Sequence, residues 1–255
     1  MNIFTVLFTL QGKSVADNKY IKMAVIMIKS LFMTGTWNLF TDQLFVMADR
    51  ETWDAFTREW DGLIQFTHIC IPRPATLLEG IARRYQFFKL DNEDVETMYL
   101  DVDFVCRKKF SVRLPPDTIA VLPEGGSEDP NYCGEGGWAK LDHPGLSAGF
   151  WVCRPGDTIR ALMDEIVAWV IREPQKFYTV EQPYFNAAIT KKTPKVYIPP
   201  EFVSFNGHGD LASAYFINFA GEPGDADFHY SKMSQIEALL ARVSQMTSSR
   251  PVPSL

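Results

Sequence analysis

The sequence is poor in cysteine: four among 255 residues, none of them in a CxxC pair. No histidine falls at zinc-finger spacing from them, which excludes a structural zinc site of that kind. Cys70, Cys106 and Cys153 sit in apolar, strand-like runs, where the thiol acts as a small hydrophobe. Reduced thiols and a cytoplasmic setting are the expectation. A basic stripe is also missing. Arg107-Lys108-Lys109 and Lys191-Lys192 are short runs, and the formal net charge is −6. Phosphate-backbone binding needs concentrated positive charge, so nucleic acid is not an expected partner. Long apolar runs are absent as well. The most apolar stretch, Ile21 to Met33, is interrupted by Lys22 and Lys29 and is too short to span a bilayer. The opening MNIFTVLFTLQGK has neither a basic n-region nor a small-residue cleavage site, so no signal peptide is expected.

What is present is an ordinary globular composition, 46% hydrophobic and 22% charged. The first part alternates two periodicities. Ile3 to Leu10, Gln43 to Ala48, Leu63 to Ile71 and Val95 to Val105 read as strands. Ala16 to Met33, Thr52 to Trp60 (with Thr52 as a cap) and Ala75 to Leu90 read as helices. Such alternation predicts an α/β fold with a mixed, mostly parallel central sheet flanked by helices. Further along, strands are expected at Thr118 to Leu122, Leu146 to Arg154 and Ala214 to Phe219. Helices are expected at Asp157 to Arg172, Gln182 to Thr190 and Tyr230 to Met246. Glu124 to Gly145, rich in Gly, Asp and Pro, reads as a long functional loop. No repeat or linker appears. One domain is expected over residues 1–246, its first half (about 1–105) holding a nucleotide and its second half (106–246) shaping an acceptor side, with residues 247–255 as a disordered tail.

The strongest local signal is MYLDVDFV, Met98 to Val105. On an extended strand, residues two apart share a side, so Asp101 and Asp103 are expected to project together. Two carboxylates roughly 4 Å apart repel by about 4 kcal/mol at an effective dielectric near 20. A divalent cation offsets that repulsion, and hard oxygen ligands suit Mg²⁺ or Mn²⁺. The alternative is a pair of solvated turn residues.

Several segments in order extend the pattern. Thr9 ends the first strand, and Tyr20 opens a helix that runs to Ser30-Leu31. IARRYQFFKL (Ile81 to Leu90) precedes LDVDFV. LSAGFWVCRPG (Leu146 to Gly156), VEQPYFNAAI (Val180 to Ile189) and INFAG (Ile217 to Gly221) follow it. Together these resemble the GT-A glycosyltransferases, most of all the family-eight type that includes glycogenin and bacterial lipopolysaccharide sugar transferases. The resemblance covers roughly residues 3–240. It implies a nucleotide-diphosphate sugar donor, a UDP-sugar by the family's habit, with retaining transfer to a hydroxyl of a glycan, glycoconjugate or protein acceptor.

It also implies roles. Asp101 and Asp103 would hold Mn²⁺ or Mg²⁺. The family's late histidine ligand falls on Asn218, whose amide oxygen is a weaker, uncharged ligand; His208 and His229 are the alternatives from neighbouring loops. Thr9, Tyr20 and Asp49 would contact the nucleoside, with Asp49 as a ribose or base partner. Arg83 and Arg84 point about 100° apart on a helix, so one of them would face phosphate or donor sugar, Arg84 by preference and Lys89 as the fallback; Val102 lies between the acids. Small residues Ser147, Ala148 and Gly149 would leave room for the sugar. Glu181 and Gln182 would stand near its reacting carbon, with Asn186 orienting that segment. Gly221 and Lys232 would contact the diphosphate, although Glu222 to Tyr230 separates them. Tyr132 and Trp138 are candidates for stacking on an acceptor sugar. One rival is a sugar-phosphate nucleotidyltransferase, which ordinarily shows a Gly-rich basic loop where this chain has QGKSVADNKY. Another is a degenerate, non-catalytic sugar-nucleotide-binding protein, for which Asn218 is the supporting feature.

Overall fold

A computed structural model describes residues 1–60, 66–89, 94–219 and 231–235. The first strand, β1 (Asn2–Leu7), is buried along its whole length. Its alternate side chains enter two different cores, Ile3 and Leu7 on one face and Phe4 and Val6 on the other. A strand covered on both faces needs a continuous apolar run rather than an alternating one. The parallel neighbours β2 (Gln43–Ala48) and β4 (Thr97–Leu100) flank β1, and β3 (Thr67–Cys70) pairs parallel with β2. β7 (Gly145–Arg154) pairs antiparallel with both β4 and β6 (Thr118–Gly125). β8 (Lys195–Tyr197) completes the order β3-β2-β1-β4-β7-β6-β8. A small second sheet has the order β5-β10-β9, from Phe104–Cys106, Phe216–Asn218 and Val203–Phe205.

Helices cover both faces. α1 (Tyr20–Met33) contributes Ile21, Val25 and Ile28 to one core, while Phe32 on the same face is largely exposed. α5 (Asp157–Arg172) packs Ile159, Met163 and Ile166 into the other. The remaining helices are α2 (Arg50–Glu59), α3 (Leu77–Ala82), α4 (Pro130–Cys133) and α6 (Gln182–Ala188). No helix among the described residues is long and apolar enough to cross a membrane.

Three expectations need correcting. α1 begins at Tyr20 rather than at residue 16, because Asn18 is spent on the preceding loop: its amide donates to the Phe8 carbonyl and to Thr9 Oγ1. Asp49, not Thr52, caps α2, accepting from the Thr52 backbone N–H at 3.2 Å. Residues 83–89 form a 3-10 segment rather than a continuation of α3. Within the long segment after β6, the short α4 supplies order that composition did not reveal. The closing helix is described only over residues 231–235, and the 247–255 tail lies outside the described residues.

α5 has glycine at its N-cap, so the cap comes from elsewhere. Asp117, before β6, accepts from the Thr158 and Ile159 backbone N–H groups at 3.1 and 2.9 Å. Those hydrogen bonds hold its carboxyl below the usual range. A Cβ on Gly156 would lie 2.6 Å from Asp117, so glycine is what admits this remote cap. Asp117 also sits at φ +53°, which Asp and Asn tolerate better than other side chains. Asp117→Ala is therefore expected to lower unfolding free energy by about 1 kcal/mol in urea titrations, and Asp117→Asn to retain most of it.

Candidate functional site

The acid pair does not continue a strand. β4 ends at Leu100, and the chain turns through Asp101–Asp103 before β5. The last ladder bond runs from the Asp101 N–H to the Gly149 carbonyl at 2.9 Å, and the Phe104 N–H closes back on the Asp101 carbonyl at 3.3 Å. Gly149 is small for a local reason: a Cβ there would lie 2.8 Å from Asp101 Oδ2. Asp101 is pinned further by the Tyr99 hydroxyl, which donates to its Oδ1.

Arg84 gathers the rest. Of the two adjacent arginines, Arg83 turns outward to Glu79 and Gln86, whereas Arg84 is buried. The Arg84 guanidinium reaches Asp101 Oδ1 at 3.0 Å and Glu181 Oε1 at 3.1 Å. It donates to the Ala148 carbonyl at 2.8 Å and lies 4.4 Å from the centre of the Tyr99 ring. Burial by itself pulls its pKa down, but Asp101 and Glu181 outweigh that and hold it well above the ordinary value.

Two cavities of about 500 and 410 Å³ meet at this network, sharing Ile81, Arg84, Asp101, Asp103 and Val180 in their walls. The first is mostly apolar. It runs along the end of β1 past Thr9, Lys13 and Tyr20, and contains Val102 in its wall. The second is bounded by Ser147, Ala148, Gly149, Glu181, Gln182 and Asn218. Gln182 is tied in place by the Ala148 N–H at 3.2 Å and by its own donation to the Asn131 carbonyl at 3.2 Å. Asn186 locks α6 onto β7 with paired bonds to the Leu146 N–H and carbonyl at 2.7 and 2.8 Å. Val180 between the cavities holds φ +57°, a strained conformation for a β-branched residue.

Asn218 reaches the acids through the second sheet. It pairs with Phe104 across β10 and β5, and the Phe219 N–H donates to the Asp103 carbonyl at 3.0 Å. Asp103 Oδ1 and Asn218 Oδ1 are both shielded from solvent and have no hydrogen-bond partner among the described residues. Burial, and next the neighbouring Asp101 charge, push the Asp103 carboxyl up to about 7. Burial does the same to Glu124, also to about 7, in the wall of the second cavity.

Several other expected positions lie elsewhere. Asp49 is absent from both cavity walls and spends its carboxylate on Thr9, Thr52 and the α2 N-terminus. Trp138 packs among Trp169, Phe177 and Tyr184. Tyr132 is buried at the edge of the second cavity, and the exposed Tyr178 is an aromatic ring in its wall that sequence reading missed. His208 is exposed on the turn after β9. Lys232 is exposed within the helical residues 231–235, and neither described wall includes it. Gly221 and His229 lie outside the described residues. Glu124 was also missed, although its signal was the same as for the acid pair: a carboxylate at the carboxyl end of an apolar strand.

Removing Arg84 leaves a buried acid, Glu181, and a half-buried one, Asp101, without their counter-charge. Arg84→Ala is expected to cost about 3–5 kcal/mol in equilibrium unfolding, and Arg84→Lys to recover only part, since one ammonium lacks the forked geometry. Asp103 and Glu124 set a pH dependence. Their folded-state values lie above those of the unfolded chain, so the folded form keeps protons that the unfolded chain releases as pH rises toward 7. In cation-free buffer the melting temperature is expected to fall from about pH 5 to about pH 8, and Asp103→Asn to flatten the slope.

No protein-family model matches the sequence, and no curated protein matches it either. Solved structures do match in shape. The galactosyltransferase LgtC, in complex with donor and acceptor sugar analogs, superposes with a TM-score of 0.58 at 12% identity, over 92% of this chain and 96% of that one. The glycosyltransferase GlyE of Streptococcus pneumoniae gives 0.59 at 11% identity, over 99% of this chain but 65% of GlyE. Mouse xyloside xylosyltransferase 1 gives 0.52 at 11% identity, over 88% and 99%. At such identities the likeness is one of architecture, and the chain is built on the GT-A glycosyltransferase fold.

Proposed function

We propose that this chain moves a sugar from a nucleotide-diphosphate donor, a UDP-sugar, to a hydroxyl of a glycan, glycoconjugate or protein acceptor, with a divalent cation at Asp101, Asp103 and Asn218. The observation that carries the reading is a pair of oxygens without partners among the described residues, Asp103 Oδ1 and Asn218 Oδ1, which line the second cavity together with Asp101. A hydrogen-bond acceptor that is shielded from water and left without a donor costs about 1–3 kcal/mol. Two such oxygens in the wall of one cavity fit a hard cation, for which carboxylate and amide oxygens are suitable ligands. Among the described residues no three His, Cys, Asp or Glu side chains form a metal-holding group, so the neutral Asn218 oxygen is the third donor in this reading. When bound, Mn²⁺ or Mg²⁺ neutralises charge that grows on the departing diphosphate.

The chain's own residues divide the remaining work. The apolar first cavity takes the nucleoside, with Thr9 and Tyr20 in its wall. The second cavity takes the sugar, with the 147–149 backbone giving it room. Arg84 holds Asp101 and Glu181 at fixed positions before substrate arrives, the preorganisation that electrostatic catalysis requires. Glu181 and Gln182 stand at the sugar end. Lys232 and Gly221 are assigned to the diphosphate, and retention of configuration is assigned, on the family resemblance. We take residues 1–246 as one catalytic unit. The four unpaired thiols accord with a cytoplasmic setting.

The test is donor hydrolysis and UDP-dependent thermal stabilisation of the purified chain, with and without Mn²⁺. Stabilisation and turnover that both require the metal are expected, because a ligand bound only to the folded form raises its melting temperature. Asp103→Ala should abolish both while leaving the cation-free protein as stable as the parent or more so, since it deletes a carboxylate that folding strands. A nucleotidyltransferase would instead need a nucleoside triphosphate, and a non-catalytic binder would be stabilised without turnover.

A further inference from the structure

Glu124 belongs to the wall of the second cavity, and its surroundings are built around it. The Tyr132 ring is seated on two glycines: a Cβ at Gly125 would lie 2.2 Å from it, and one at Gly145 2.3 Å. That seat brings the Tyr132 hydroxyl to 3.4 Å from Glu124 Oε2. Ser147 lies in the same cavity wall. The other Glu124 oxygen, Oε1, is shielded from water and has no partner among the described residues. Buried acceptors are nearly always paired, so one left open at a cavity wall is a place for a ligand's donor. The residue as a whole is only half-buried, and the terminal torsion of glutamate is broad and two-fold. A small turn therefore presents a carboxyl oxygen to the cavity.

The missing donor is not the cation. Among the described residues, Glu124 does not form a metal-holding group with Asp101 and Asp103. It lines the same cavity, near enough for the Asp101 charge to act on it. When ionised, the carboxyl group is acceptor-only and takes hydroxyl donors readily.

We propose that Glu124 is a specificity-determining residue whose carboxyl group accepts a hydrogen bond from a hydroxyl of the sugar carried by the donor. This rests on the glycosyl-transfer reading above. Tyr132 acts through it, holding one carboxyl oxygen so that the other is left for the sugar.

The experiment is calorimetric titration, with Mn²⁺ present, of the parent chain, Glu124→Gln and Glu124→Ala with UDP, UDP-glucose, UDP-galactose and UDP-xylose. UDP should bind all three proteins within about twofold, because the nucleotide end does not touch Glu124. For the donor that the parent prefers, the affinity added by the sugar should fall about tenfold to a hundredfold in Glu124→Ala, the loss of a hydrogen bond to a charged group. The same variant should lose the parent's ranking of the three donors. Glu124→Gln, nearly isosteric, should show the same loss in smaller degree and tests the idea even if the alanine variant does not fold. Parent-like ranking and affinity in the folded variants would overturn the proposal. Failure of UDP to bind the parent chain would remove the glycosyl-transfer reading, and this inference with it.

Discussion

Arg84 sits between two carboxylates that reach it from distant parts of the chain, Asp101 from the turn after β4 and Glu181 from the entry to α6. Without it, those acids would meet in a poorly hydrated space where like charges repel strongly. With it, they are held at 3.0 and 3.1 Å from one planar group, which is also fixed to the Ala148 carbonyl on β7. The guanidinium tolerates burial because its hydrogen bonds and counter-charges are supplied by the fold. Three elements that composition places far apart are thereby fixed around one cleft, and the small residues 147–149 are what let them approach. Ala148 offers its carbonyl, and Gly149 leaves room for the Asp101 carboxylate.

The same cleft is left short of positive charge. The described wall of the second cavity carries Asp101, Asp103, Glu124 and Glu181 against the single guanidinium of Arg84. Burial, with the neighbouring acid charge, pushes the Asp103 and Glu124 carboxyl groups up to about 7, and each has an oxygen without a hydrogen-bond partner among the described residues. Folding for stability alone would not gather these groups. On the proposed function, a cation and a polyhydroxy ligand would relieve an arrangement that penalises the empty protein, the usual exchange of stability for function. The strained Val180, standing between the two cavities and just before Glu181, belongs to the same pattern.

Much of this was legible in the sequence because it rests on periodicity. β2 and α5 fall where hydrophobic spacing puts them, Gln43–Ala48 and Asp157–Arg172. That only one of Arg83 and Arg84 enters the site follows from neighbours on a helical turn pointing apart, but not which one. What was not legible depends on long-range partners. The break at Asp101–Asp103 requires Gly149, 48 residues beyond Asp101, to supply the last ladder bond. Asp49 reads as a strand-end binding residue until Thr52 and the first turn of α2 claim its oxygens. The short strands Lys195–Tyr197 and Val203–Phe205 carry too few residues for a period to show, and they exist because β6 and β10 offer edges to pair with. Glu124 was hidden inside a segment that composition marks as loop, although it closes an eight-residue strand.

The central claim is that the acid turn and Asn218 hold a cation that grips a nucleotide's diphosphate. A crystal structure of the chain grown with Mn²⁺ and UDP measures this directly through the anomalous signal of the metal. The account predicts one strong peak in contact with Asp103 and Asn218, bridged to the diphosphate, with the uracil and ribose in the apolar cavity beside Thr9 and Tyr20. A nucleotide seated elsewhere, with no metal at the turn between β4 and β5, would contradict it.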